Sequence, residues 1–305
     1  KKILFLLLPI VAIGILECFY SLIQESENYI YLLNHLDDAF GGYGHEVGAT
    51  FGNKEDWGAF LMVSIVSALG TFFFTDFNKK NLIVKLFCGF AVVLFSIFVV
   101  LSLCKTAILA MILCYFAVII GLIVACWKKS KKVGIASLCG FSLILVFLVL
   151  FLSTNGFGVP PLSKISGYLI NFIINRSSHA VDGRMTLWLN YMENIRCYNL
   201  FFGMGKANVG SYTKSLVIEG QSGIHNGFAY FFASYGLIGF LLLVILLFKV
   251  IKNIIFLYRV KPFYCFLFFG FLLSSITFVL AEAEVLIISS SIPVFVYNIV
   301  LVVLP

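Results

Sequence analysis

Apolar runs of 18 or more residues recur along this 305-residue chain, and each is long enough to cross ~30 Å of hydrocarbon. A chain built this way has few folds open to it, because lipid supplies no hydrogen bonds to the backbone and only helices or closed barrels satisfy it internally. The runs are continuous rather than alternating in ~10-residue pieces, which excludes a β-barrel. The fold class is therefore all-α, a polytopic helical membrane protein. Charged residues make up only 11% of the chain, against roughly 25% in ordinary soluble domains.

About eight transmembrane spans are expected: Ile3–Ile23, Trp57–Thr75, Leu82–Ser102, Thr106–Cys126, Val133–Leu152, Asn226–Phe248, Phe263–Ala281 and Val285–Leu304. They divide the chain into residues 1–152 (five spans, with an acidic loop at 24–56), a wet loop at 153–224, and residues 225–305 (three spans). The first span is too long for a signal peptide and lacks a small-residue cleavage site. The chain opens on Lys1 and stops at Leu304-Pro305 directly after an apolar run, so either end is expected to be cut.

Basic residues divide unevenly between the two sides. Lys1, Lys2, Lys79, Lys80, Lys85, Lys128, Lys129, Lys131, Lys132, Lys249, Lys252, Arg259 and Lys261 fall on one face, with Asp76 as the acid among them. By the positive-inside rule that face is cytoplasmic. Both long loops and all four histidines (His35, His45, His179, His225) then lie outside. The net charge of +7 dissolves once charges are placed by side, so it is no signal for nucleic acid. Most of the eight cysteines sit within apolar spans. No Cys/His ligand spacing occurs, so neither a disulfide framework nor a structural zinc site is expected.

The loop at 153–224 gathers the polar chemistry. Residues 164–175 have apolar positions at helical spacing and suggest an interfacial helix. Residues 184–198 suggest a second helix, with Asp182 as its N-cap. A guanidinium forms paired, charge-assisted hydrogen bonds to phosphate, so Arg184, Arg176 and Arg196 are candidate anion grips. Salt bridges are the alternative: Asp182 or Glu193 for Arg184, and Glu193 three residues before Arg196. Lys105 stands where the chain turns between two apolar spans, a costly place for a cation unless it is paired, snorkels or faces a wet cavity. His225-Asn226 opens the sixth span. An imidazole, with an ordinary pKa of ~6.5, can accept a proton from a hydroxyl there, or can simply be tolerated at a wet helix end. Glu282 and Glu284, in a short outer turn, are solvated or act as a base or its orienting group. Gly203–Gly210 fits neither G-x-x-x-x-G-K-[ST] nor G-x-G-x-x-G and reads as a flexible turn.

Together these pieces resemble the O-antigen polymerase and O-antigen ligase superfamily of bacterial membrane glycosyltransferases. Phe51-Gly52-Asn53-Lys54-Glu55-Asp56-Trp57 resembles the family's F-x-N-x-N lead-in to a span, and Ser102–Thr106 followed by Ala107 and Ala110 resembles its S-R-T-A turn. Gly183-Arg184-Met185-Thr186-Leu187-Trp188 resembles R-x-x-x-W, and Phe202-Gly203-Met204-Gly205 the G-x-G that follows. His225-Asn226-Gly227-Phe228 with Tyr235-Gly236-Leu237-Ile238-Gly239 resembles H-N…G-x-x-G. The likeness spans about residues 45–245. Lys105 departs from the usual Arg, and an R-x10-G pattern is not met from Arg176, Arg184 or Arg196. The family usually has more spans, so one or two N-terminal pairs are expected to be absent here.

The resemblance implies a transferase in the bacterial cytoplasmic (inner) membrane, active on its outer face toward polyprenyl-diphosphate-linked oligosaccharides, without nucleotide sugar, metal or other cofactor. It casts His225, Arg184 and Lys105 as catalytic. His225 would be the base for the acceptor hydroxyl, and Arg184 and Lys105 would neutralise the leaving diphosphate. Arg176, His179, Trp188, Arg196, Asn226, Glu282 and Glu284 are the expected substrate-binding set. Partners would be the lipid-linked glycan, the bilayer, and flippase and chain-length regulator proteins. The leading reading is a repeat-unit polymerase for capsule, exopolysaccharide or O-antigen. A ligase is the nearest alternative, and a transporter or flippase is more distant. Richness in Phe, Ile, Lys and Asn suggests a low-GC bacterium, and a Gram-positive one would offer a lipid A ligase no acceptor. Impermeant labelling of single cysteines in intact cells is expected to modify position 215 and spare position 130; the reverse pattern overturns the topology and the site assignment with it.

Overall fold

The structure, a computed structural model, describes residues 2–34, 47–51, 53–76, 78, 81–159, 163–167, 170, 189, 197–205, 208–209 and 226–281. These residues form helices and turns, with no strand among them. In order the main helices are α1 (Lys2–Gln24), α2 (Ser26–Asn34), α3 (Lys54–Phe74), α4 (Leu82–Leu101), α5 (Lys105–Lys129), α6 (Lys131–Ser153), α7 (Cys197–Phe202), α8 (Gly227–Val260) and α9 (Pro262–Ala281). Seven of them, all except the short α2 and α7, are long and apolar enough to cross a membrane. The chain is thus an all-α, multi-pass membrane protein. The expected eighth span, 285–304, lies outside the described residues. So does most of the two helices expected at 164–175 and 184–198, of which residues 164–167, Ile170, Leu189, Cys197 and Tyr198 are described and helical.

The chain divides into two compact units, residues 1–176 with 258–271, and residues 177–257 with 272–305. In the first, α3 is the central helix: 78% of its membrane-length window is buried, against none of the window in α6. Small side chains on α3 allow that position, since in lipid close backbone approach rather than hydrophobic burial drives association. A Cβ added at Gly14 of α1 would stand 2.8 Å from Ser64 Oγ and from Phe95. One added at Gly58 would stand 2.8 Å from the Ala107 Cβ and 3.0 Å from Cys104. Hydroxyls of α3 and its C-cap bond back to the helix, Ser64 donating to Phe60 O, Thr71 to Ser67 O and Thr75 to Thr71 O. At the far end of α3 the first turns of α9 close over it: Tyr264 stacks on Phe74 with centroids 5.0 Å apart and donates to the Phe73 carbonyl at 3.2 Å.

That same end gathers cations over rings. Lys85 lies 5.0 Å from the Phe72 centroid, Lys128 4.7 Å from Tyr258, and Lys261 5.4 Å from Tyr264. Aromatic rings and ammonium groups at a span end are the usual furniture of a membrane–water boundary.

Two boundaries differ from the sequence reading. The stretch after α1, expected to be an acidic loop, begins with α2, which buries Tyr29 and Leu32 and carries Glu27 at its favourable N-terminal turn. The sixth span does not stop at Phe248 before a basic link; its helix runs on to Val260. Lysine and arginine are good helix formers and suit a helix C-terminus, and no Gly or Pro interrupts the run before Pro262, which opens α9.

Gly58→Ala is expected to destabilise the protein by about 1–3 kcal/mol, the usual cost of overpacking. That cost should shrink in a double-mutant cycle with Ala107→Gly, read by thermal unfolding in detergent. An unchanged midpoint in Gly58→Ala would show that α3 and α5 do not meet there.

Candidate functional site

The expected site residues fall on the structure unequally. Lys105 and Asn226 are described. Arg176, His179, Arg184, Trp188, Arg196, His225, Glu282 and Glu284 lie outside the described residues.

Lys105 is delivered by a three-residue reversal. Helix α4 ends at Leu101, Ser102 stays right-handed, and Leu103 turns left-handed at φ 56°, a conformation that costs a non-glycine residue roughly 1–2 kcal/mol. Local bonds hold the turn closed: Ser102 N–H donates to Phe98 O at 2.8 Å, Leu103 N–H to Val100 O at 3.3 Å, and Ser102 Oγ to Val99 O at 2.9 Å. Cys104 N–H in turn donates to Ser102 Oγ at 3.3 Å. Cys104 is then extended and α5 starts at Lys105, half-buried. Its ammonium therefore adds to the positive end of a 25-residue helix dipole, an arrangement suited to an anion. Farther along, Ser96 and Tyr115 share a 2.5 Å hydrogen bond that ties α4 to α5.

Around this turn stands an aromatic wall. Trp57 is fully buried, with centroids 5.9 Å from Phe51, 6.0 Å from Phe60 and 6.4 Å from Phe98. Tyr29 meets Phe98 edge-on at 5.8 Å and shares a 2.6 Å hydrogen bond with Ser21. Burial pushes the Tyr29 phenol well above its ordinary range, so it stays neutral at any physiological pH. Two carboxylates that the sequence reading did not single out brace the approach to α3. Glu25 Oε1 accepts from Ala49 N–H at 2.7 Å and Gly48 N–H at 3.3 Å, and Glu17 Oε2 accepts from Thr50 Oγ1 at 2.7 Å. Asn53 then caps α3, its Oδ1 accepting from Glu55 N–H at 2.9 Å. Within the F-x-N-x-N-like stretch, Phe51 thus stacks on Trp57 and Asn53 caps the helix that carries it. Glu17 and Glu25 were invisible to motif reading because their partners lie 23 to 33 residues away in sequence.

The second unit holds the other half of the polar signals. Asn226 is buried and its Oδ1 accepts from Ala229 N–H at 3.0 Å, which makes it the cap of α8. Gly236 interrupts α8 at φ 65°, ψ −168°, a region that only glycine adopts readily. Gly203-Met204-Gly205, read from sequence as a flexible turn, is docked against that interruption: Met204 N–H donates to Ala233 O at 2.8 Å and Gly205 N–H to Ser234 O at 3.1 Å. Those two amides are therefore not available to a phosphate.

Among the described residues, seven apolar spans, one of them broken and one headed by Lys105, define a polytopic membrane protein. Residues 90–244 match the family described as O-antigen ligase, just over half of the chain and inclusive of both the Lys105 turn and the α8 break. The chain belongs to this family of O-antigen ligases and polymerases, membrane proteins of glycosyltransferase type. No curated protein and no solved structure matches it.

If Asn226 acts as a cap, Asn226→Ala should cost about 1 kcal/mol and Asn226→Ser should be nearly neutral in thermal unfolding. A Ser variant as inactive as the Ala variant, at unchanged stability, would instead place the amide on the substrate.

Proposed function

We propose that this chain polymerises polyprenyl-diphosphate-linked oligosaccharide repeat units on the outer face of the cytoplasmic membrane, extending a capsule, exopolysaccharide or O-antigen. The observation that supports this best is Lys105 at the head of α5, inside the family-matched region, where a strained turn fixes a cation at a span end. A diphosphate leaving group wants preorganised positive charge in a site partly shielded from water. Polymerisation breaks the bond between the anomeric carbon of the donor glycan and its diphosphate oxygen. An acceptor hydroxyl forms the new bond to that carbon. The electron pair leaves with the diphosphate, held by Lys105 and Arg184, and the hydroxyl proton passes to His225. Arg176, His179, Trp188, Arg196, Glu282 and Glu284 would bind the glycan and its headgroup, and Asn226 would act through the cap it forms on α8. The chemistry needs no nucleotide sugar and no metal. A flippase would supply the donor and a chain-length regulator would limit the product.

The second reading is ligase-type transfer of finished glycan to another acceptor, favoured by the description of the matched family. Purified protein with lipid-linked repeat units alone separates the two: a ladder of lengths supports polymerisation, and product only on addition of a foreign acceptor supports ligation. Within that assay His225→Ala and His225→Gln should both lose ~10²–10⁴-fold in rate, since glutamine cannot take up the proton. Arg184→Lys should fall sharply because it keeps charge but not the paired geometry, whereas Lys105→Arg should be tolerated. Full turnover by His225→Gln would move the base to Glu282, Glu284 or His179.

A further inference from the structure

In an unbroken helix, Ala233 O and Ser234 O would accept from the N–H groups four residues on. Gly236 turns the chain out of that path, and both carbonyls accept from Met204 and Gly205 instead. The fit is backbone against backbone. A Cβ on Gly203 would lie 2.3 Å from Ser234 O, and one on Gly236 would lie 2.4 Å from Phe201 C and O and 2.6 Å from Gly203 N. Gly203 and Gly205 also sit at φ 77° and 79°. Neither obstacle is a flexible side chain that could swing away, so one contact fixes Gly203 and Gly236, while Gly205 is required by its positive φ.

A second anchor lies beside it. Val209 and Ala233 are both wholly buried against each other, flanked by Met204, Ala229, Tyr230 and Phe232, and Asn208 Nδ2 donates to Met204 O at 2.8 Å. The segment held in this way, residues 227–235, is too short to be a stable helix by itself. Its direction depends on what grips it.

We propose that Gly203–Gly205 and Gly236 form a clasp that sets the position of the first segment of α8, residues 226–235, independently of the rest of that helix. Taken with the function proposed above, on which this part rests, these glycines are positioning residues for glycan transfer, because the segment continues directly from His225 in the sequence. The Gly-x-Gly motif then serves to hold a helix end rather than to cradle phosphate.

Hydrogen exchange on the full-length protein in nanodiscs tests the clasp without reference to activity. Gly203→Ala and Gly236→Ala should accelerate amide exchange over 227–233 roughly 10- to 100-fold, as overpacking of this kind implies, and leave α3 and α4 unchanged. Gly140→Ala, where an added Cβ meets nothing within 4 Å, is the control. Should the clasp glycines prevent folding, Val209→Ala loosens the second anchor without a backbone clash, and a smaller acceleration confined to the same residues is expected. Unchanged exchange over 227–233, or equal loosening of α3 and α4, overturns the clasp. In the transfer assay Gly203→Ala should lose on the order of 10² in kcat with KM for the lipid-linked donor nearly unchanged. A wild-type kcat in a variant whose segment exchanges fast would overturn the positioning role. A wild type that transfers no glycan at all would defeat the functional reading, and the exchange data would still decide the clasp.

Discussion

Hydrocarbon gives a peptide group nothing to bond to, so every departure from helix at membrane depth must be answered from within the protein. Two departures from helix among the described residues, one between spans and one inside a span, are answered differently. Between α4 and α5 the reversal is closed locally, by Ser102 bonding both to Val99 and to Cys104 and by left-handed Leu103. Within α8 the break at Gly236 is closed from a distance, by the amides of Met204 and Gly205. The two described site candidates lie beside these places. Lys105 follows the first directly, and Asn226 caps the segment that the second sets apart.

The same constraint accounts for the sorting of side chains. Ser64 and Thr71 of α3 turn back to their own helix, Gly58 and Gly70 of α3 let α5 and α1 approach, and Lys85, Lys128 and Lys261 end over aromatic rings. Lys105 stands half-buried at a helix head, where the dipole disfavours a cation and favours an anion. A polymerase and a ligase would both need that arrangement, since both separate a glycan from a diphosphate. The distinction between them therefore rests on acceptor recognition.

Membership of the all-α membrane class was legible from sequence alone, because lipid selects composition residue by residue and a window of ~20 apolar residues carries that selection directly. Short-range signals were legible too: the basic ends of the spans, and the family patterns at Ser102–Thr106 and His225–Gly239, which depend on neighbours in the chain. The extent of α8 and the helix at 26–34 were not read, as a lysine-rich stretch and an acidic one look like links until their helical continuity is seen. What only the tertiary structure decided were contacts made by backbone, or by partners far apart in sequence. Glu25 bonds to amides 23 and 24 residues on, Gly58 meets α5, and Gly203 meets Gly236. A backbone amide or carbonyl leaves no letter of its own in a sequence. Its partner is recorded at most as a glycine, and a glycine does not say what comes close to it.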